Sequence, residues 1–190
     1  SNNRLVGGLE FQQNFSSSYL SGDEDTIYFE GNFPFYTASV FLQDEFQVSK
    51  KLSLVLGGRY DYNPRTKTNI TPRASVVWMP TAKTTLKAIY GSAYRAPNTN
   101  ELYGEDGFLY ASNPNLSPEQ IRNVDLVFEQ RIRKDLKFQV NVYRYGMQNL
   151  LDQVLTPEDS LFRFQNVGSV AGNGAEGEVE MRLKNGITGF

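Results

Sequence analysis

Cysteine and histidine are both missing from this 190-residue chain. Their absence excludes Ser-His-Asp and Cys-His catalysis, a disulfide framework, and any metal site built on thiolate or imidazole. An excess of either charge is missing too. The 19 Lys and Arg stand against 21 Asp and Glu, for a net charge of −2. No basic surface is therefore available to grip nucleic acid. Long hydrophobic runs are absent, so no transmembrane helix of about 18 apolar residues is possible. That exclusion does not reach barrels, whose strands alternate and average to a polar hydropathy. Aromatic residues, by contrast, are plentiful at 13 %, including 11 tyrosines.

Alternation is the dominant pattern, and it predicts an all-β chain. Leu136, Phe138, Val140 and Val142 share one face, against Lys137, Gln139 and Asn141 on the other. Val124, Leu126 and Phe128 repeat this against Asn123, Asp125 and Glu129; Leu52, Leu54 and Leu56 lie opposite Ser53 and Gly57. Strands are expected at 4–15, 36–48, 52–62, 70–79, 84–95, 119–132, 136–149 and 161–183, with another beginning near Ile187. Gly168, Gly172 and Gly174 predict a bulge or bend in the eighth, and Gly57-Gly58 mark either a bulge in the third, the favoured reading, or a close approach to a neighbouring segment.

Connections are expected to alternate in length. Short ones fall at Ser49-Lys50-Lys51, Pro80 to Lys83, Arg133-Lys134-Asp135 and Lys184-Asn185-Gly186. Longer ones cover 16–35, 63–69, 96–118 and 150–160. All short links would then lie at one end of the sheet and all long ones at the other, as in outer-membrane barrels. Strands of about 10–14 residues suit a tilted membrane crossing. Tyr60, Tyr62 and Tyr94 near the long links and Trp78 beside a short turn would form aromatic girdles. A soluble antiparallel barrel or sandwich would also alternate, and remains the competing architecture.

Tyr90-Gly91-Ser92-Ala93-Tyr94-Arg95-Ala96-Pro97, running into Asn98 to Tyr103, resembles a motif of TonB-dependent outer-membrane receptors. In that family such a strand leads into an Asn-x-x-Glu-Leu-Tyr loop. Asn113-Pro114-Asn115-Leu116-Ser117-Pro118-Glu119 is similar to the element that opens the family's next strand. Phe41 to Phe46 with Leu56 to Asp61, and Phe164 to Gly168 with Gly174 to Glu178, resemble two further family segments. The likeness runs in order from Phe41 to Glu180. It implies that residues 1–190 are a partial β-barrel domain, an antiparallel meander of about eight to nine long strands. By the same resemblance it is expected to be a piece, without plug domain or TonB box, of a barrel of about 22 strands.

The resemblance also implies a Gram-negative outer-membrane location and contact with membrane lipid. The implied activity is uptake of a scarce nutrient such as a ferric siderophore, powered by TonB through the plug. A self-contained small barrel with a structural or adhesive role is the alternative. An enzyme is not expected. Asp125 and Glu129 share a face, but four residues along a strand separate them too far for paired acid–base work. No cofactor is expected either.

Pro97 fixes φ, removes a donor and keeps Ala96 out of the helical region, so the ladder must end there. Asn98 can cap a short helical turn through Glu101, Leu102 and Tyr103. Arg95 is expected on the lumen face, paired with Glu101, Glu119 or Asp125 or meeting an anionic ligand. Candidate ligand-binding residues are Arg95, Asn98, Glu101, Tyr103, Phe108 and Tyr110, since exposed loop aromatics suit a flat or amphipathic ligand. Asp23-Glu24-Asp25 is read as a solvated acidic loop rather than a calcium site, because the ligand spacing of an EF-hand is absent.

Overall fold

A computed structural model describes residues 2–182 and 188–189. The strands are β1 (Asn2–Asn14), β2 (Ser18–Gly22), β3 (Ile27–Asn32), β4 (Phe35–Ser49), β5 (Leu52–Asn63), β6 (Lys67–Thr81), β7 (Thr84–Arg95), β8 (Glu119–Arg133), β9 (Leu136–Thr156), β10 (Leu161–Arg182) and β11 (Thr188–Gly189). One short helix, α1 (Thr99–Tyr103), follows β7. Among the described residues, nine strands form one antiparallel sheet in the order β1-β4-β5-β6-β7-β8-β9-β10-β11, while β2 and β3 form a separate hairpin. The sheet is thus an up-and-down meander, and in it β1 pairs only with β4.

The register carries the alternation from strand to strand. Leu56 lies beside Ala74, Ala74 beside Tyr90, Tyr90 beside Val124, and Val124 beside Arg144. Gly57, Arg73, Gly91, Asn123 and Tyr145 make the neighbouring row on the opposite face. The two faces are exposed in the reverse of the usual sense. Leu42 is 56 % exposed, Leu126 55 % and Val142 50 %, whereas Asp61 is 2 % and Asn69 5 % exposed. Burial of polar groups is tolerated only when they are hydrogen-bonded. On this face Arg59 donates through Nε to Asp61 (2.7 Å), Nη1 to Glu10 (2.9 Å) and Nη2 to Ser39 (2.8 Å). Ser39 donates in turn to Asp61 at 2.6 Å, and Lys87 pairs with Glu129. A dry, water-soluble sandwich would have buried the aliphatic rows; here they form the open surface.

Several connections differ from expectation. Residues 16–35 do not form a plain loop, because β2 and β3 fold back on each other within it. Asp23 closes that hairpin by accepting from the N–H groups of Asp25 (3.0 Å) and Thr26 (2.8 Å), and it takes the Tyr28 hydroxyl as well. The expected 63–69 loop shrinks to 64–66, closed by Lys67 at a φ of 59°. The expected 150–160 loop shrinks to 157–160, because β9 continues to Thr156. Asn149 at a φ of 57° and a register shift at Asn166–Gly168 bend the β9–β10 ribbon there without ending it. Two of the four long links are therefore tight turns on prolonged strands. The asymmetry between the two ends rests on residues 15–34, on 96–118 and on the extended β9–β10 ribbon.

The bulge foreseen near Gly168 is present, but pairing runs unbroken through Gly57 and Gly58. Gly57 instead makes room: a Cβ there would stand 3.2 Å from Arg73 Nε and 3.1 Å from the Leu42 carbonyl. Tyr60 and Tyr62 are exposed as girdle residues should be, whereas Tyr94 is half-buried. The Lys184-Asn185-Gly186 turn, Leu183 and Ile187 lie outside the described residues.

Candidate functional site

The segment 96–118 is built around the end of β7. Asn98 is the N-cap of α1: its Oδ1 accepts from the Glu101 N–H (2.9 Å), while the Glu101 carboxylate accepts from the Asn98 N–H (2.7 Å). This reciprocal capping box starts a helix too short to persist alone. Arg95 then ties the helix to the sheet. Its Nε donates to Glu119 Oε2 at 2.6 Å, and its Nη1 to both Glu101 oxygens at 3.0 Å. Glu119 uses its other oxygen to accept from the Leu151 N–H (2.8 Å), which draws in β9. Below the helix, Leu102 is fully buried and Leu116 nearly so. They are the apolar core of the loop, distinct from either sheet face.

The returning half of the segment is pinned to β10. Asn113 donates from its backbone to the Leu102 carbonyl (3.0 Å) and from its side chain to the Phe164 carbonyl (2.9 Å). Asn166 accepts from the Ser117 N–H (2.8 Å) and donates to the carbonyls of Ser117 (2.9 Å) and Asn149 (2.8 Å). Asp106 Oδ1 collects the N–H groups of Phe108 (3.0 Å), Leu109 (2.8 Å) and Tyr110 (2.9 Å). Those donors hold its carboxyl below the ordinary aspartate range, Tyr110 and Leu109 most strongly.

The β2–β3 hairpin covers the other side. Phe33 and Tyr103 stack with centroids 3.9 Å apart at 4°. Arg65 lies 4.1 Å from the Phe35 ring centre and 5.4 Å from that of Tyr103. Its guanidinium donates to the Thr99 hydroxyl (3.2 Å) and to the Phe33 carbonyl. Burial pushes the Arg65 pKa down, against the pull of Tyr103. Thr99 also meets Ser17. Tyr28 and Phe108 touch edge to face at 4.6 Å.

The motif residues of the Arg-Ala-Pro, Asn-Pro and Gln-Asn-Val-Gly segments thus converge on one structure at the end of the sheet. A family model described as TonB dependent receptor-like, beta-barrel, matches residues 2–190. The chain belongs to this family. It is a family of receptors rather than enzymes. Among solved structures, the siderophore receptor PirA from Pseudomonas aeruginosa is 19 % identical with a TM-score of 0.78, over 98 % of this chain and 35 % of that one. The ferric enterobactin receptor PfeA from Pseudomonas aeruginosa is 21 % identical with a TM-score of 0.74, over 83 % and 26 %. The siderophore receptor PirA from Acinetobacter baumannii is 18 % identical with a TM-score of 0.74, over 96 % and 32 %. These likenesses are of fold. The chain spans about a quarter to a third of the length of those receptors.

Within this TonB-dependent receptor barrel, the six candidate residues divide into two groups. Arg95, Asn98, Glu101 and Tyr103 hold one another and their neighbours, and Asp125 is not an Arg95 partner: it accepts from Asn123 (2.7 Å) and Asn141 (3.5 Å). Phe108 and Tyr110 are exposed. Tyr110 also lines a cleft of about 160 Å³ with Tyr19, Gln153, Phe162 and Phe164. Its ring lies 6.0 Å from that of Phe162, and the two segments are joined by the Ala111 N–H to the Phe162 carbonyl (2.9 Å). Arg65, Tyr19, Phe29 and Phe162 were not singled out from the sequence. Their partners are 32 to 34 residues away for Arg65, a distance at which no local pattern speaks.

Proposed function

We propose that this chain supplies barrel wall and outward loops to an outer-membrane receptor that takes up a ferric siderophore or a similar scarce nutrient. The observation that supports it most is the reversed partition: aliphatic rows open, ionic rows shielded. Such a surface is stable against hydrocarbon and costly against water. In this reading the apolar face meets outer-membrane lipid of a Gram-negative bacterium, and the polar face meets the plug domain, through which TonB delivers energy. The solved structures named as siderophore and ferric enterobactin receptors support the choice of an iron chelate.

In this reading the loop structure does two jobs. Arg95, Asn98, Glu101 and Tyr103 hold its shape, and any ligand contact they make is set by that shape. Phe108 and Tyr110 present ring faces to a flat or amphipathic chelate, with Tyr19 and Phe162 beside Tyr110. The test is growth under iron limitation. A strain lacking its own siderophore receptors, given the protein at full length, should recover on ferric siderophore and take up radiolabelled iron. Tyr110→Ala should weaken chelate binding by about tenfold. Rescue by cobalamin or glycan but by no iron chelate would overturn the choice of ligand.

A further inference from the structure

Two arginines stand on the apolar face with no role in the fold or in the loop site. Arg122 lies opposite Gly146, and Arg144 opposite Val124, so they are diagonal neighbours across the β8–β9 pair. Long side chains meet easily over that diagonal. Both are exposed. Arg122 has one weak bond, from Nη2 to Gln120 Oε1 at 3.4 Å, and Arg144 has no hydrogen bond or ion pair among the described residues. The outward positions of β7 and β8, of β9 from 136 to 148, and of β10 from 169 to 181 carry no carboxylate. The pair is therefore an unneutralised double positive charge on the outward face of β7 to β10, whose other outward positions in those ranges are uncharged.

Its height on the wall is informative. Toward the short turns the face is aliphatic and aromatic, with Val124 and Leu126 on β8 and Val142 on β9. Toward the loops it becomes polar, with Gln120, Gln148 and Ser169. The arginines sit at the change. Gly146 and Ala171 leave the surface low between them, and a hollow of about 350 Å³ opens there, bordered by Arg122, Val124 and Arg144. Guanidinium groups recognise phosphate through a planar fork, and charges at a bilayer boundary pair with headgroups.

We propose that Arg122 and Arg144 together hold the anionic phosphate of an outer-leaflet lipid headgroup, with an acyl chain lying over Val124 and Leu126. This rests on the reading of the apolar face as lipid-facing. The lipid fixes the wall at a set depth just beneath the 96–118 loop.

Native mass spectrometry of the full-length protein in detergent tests it, with dioleoyl phosphatidic acid, dioleoyl phosphatidylcholine and inorganic phosphate as probes. Phosphatidic acid should be retained in preference to phosphatidylcholine, and retention should fall as salt rises. The double variant R122Q/R144Q should lose about tenfold in retention per arginine, while R122K/R144K should keep much of it. Should the glutamine pair fail to fold, the lysine pair and the salt titration of the unaltered protein still decide. Equal retention by the unaltered protein and the glutamine pair, no preference for the anionic lipid, or no salt dependence would overturn the proposal. Displacement by inorganic phosphate at the same concentration would make this a free-anion site and overturn the lipid assignment. Lipid retention is read without uptake, so a protein that keeps phosphatidic acid but carries no iron chelate sinks the transport reading alone.

Discussion

Arg65 is a three-residue-turn arginine that joins four segments: the end of β3, the start of β4, the α1 helix and its own turn. It does so with a planar group, bonding in its plane to Thr99 and Phe33 while its faces lie by Phe35 and Tyr103. Lysine would keep the charge and lose both the fork and the flat contact. Arg65→Lys should therefore destabilise the hairpin-on-loop packing by about 1 kcal/mol. Faster protease cleavage within 15–34, with cleavage elsewhere unchanged, is the result to look for. Arg95 differs, because it is half-exposed and solvent discounts its ion pairs. Arg95→Ala should cost about 1 kcal/mol, mostly by leaving Glu101 and Glu119 without their donor. A larger loss from Arg95→Ala than from Glu101→Gln in urea unfolding would fit, since the arginine serves two carboxylates.

At the scale of elements, the 96–118 segment is ordered by carboxylates that accept backbone N–H groups. Asp106 is the clearest. Its folded pKa is depressed by the amides of Tyr110, Leu109 and Phe108. A depressed carboxylate contributes its full share above its unfolded value, about 3.9. That share is lost as the pH falls through the lower folded value. Hydrogen exchange at the amides of Phe108, Leu109 and Tyr110 should accordingly be unchanged between pH 7 and about 5, once corrected for intrinsic rate, and lose protection below about pH 4. Asp106→Asn should show weakened protection at every pH. The helix end is also tight: a Cβ on Gly104 would stand 2.5 Å from the Asn100 carbonyl oxygen. The cap, the helix and the strand stop at Pro97 were all legible in Arg95 to Tyr103, because each is a local rule. The β2–β3 hairpin was not, since its strands are short and its turn depends on Asp23 closing over Thr26.

The whole molecule is organised by what each sheet face touches. Leu126 sits mid-wall between Ala88 and Val142. Leu126→Arg should cost about 2–4 kcal/mol when unfolding is measured in lipid vesicles, as expected for a charge near the bilayer midplane. In water the same residue is already open, so a face that normally meets solvent would register almost no change. Val127→Gln, one residue along but on the polar face, is the matched control and should cost markedly less. The single sheet also leaves the outer edge of β1 without a partner among the described residues. Unpaired edges invite further strands, which is what barrel closure provides.

The sequence carries the period, and with it the strands of the large sheet, their two chemically distinct faces and the stop at Pro97. Those follow from neighbours two to four residues apart. It could not decide that β9 continues past Asn149, since Asn166 must arrive from the next strand to hold the bend. Nor could it show that Asn113 meets Phe164, that Arg65 meets Tyr103, or that Arg122 and Arg144 stand as diagonal neighbours on one face. Loop packing brings the first two pairs together and register the arginines, and register is a property of the paired sheet rather than of any one strand.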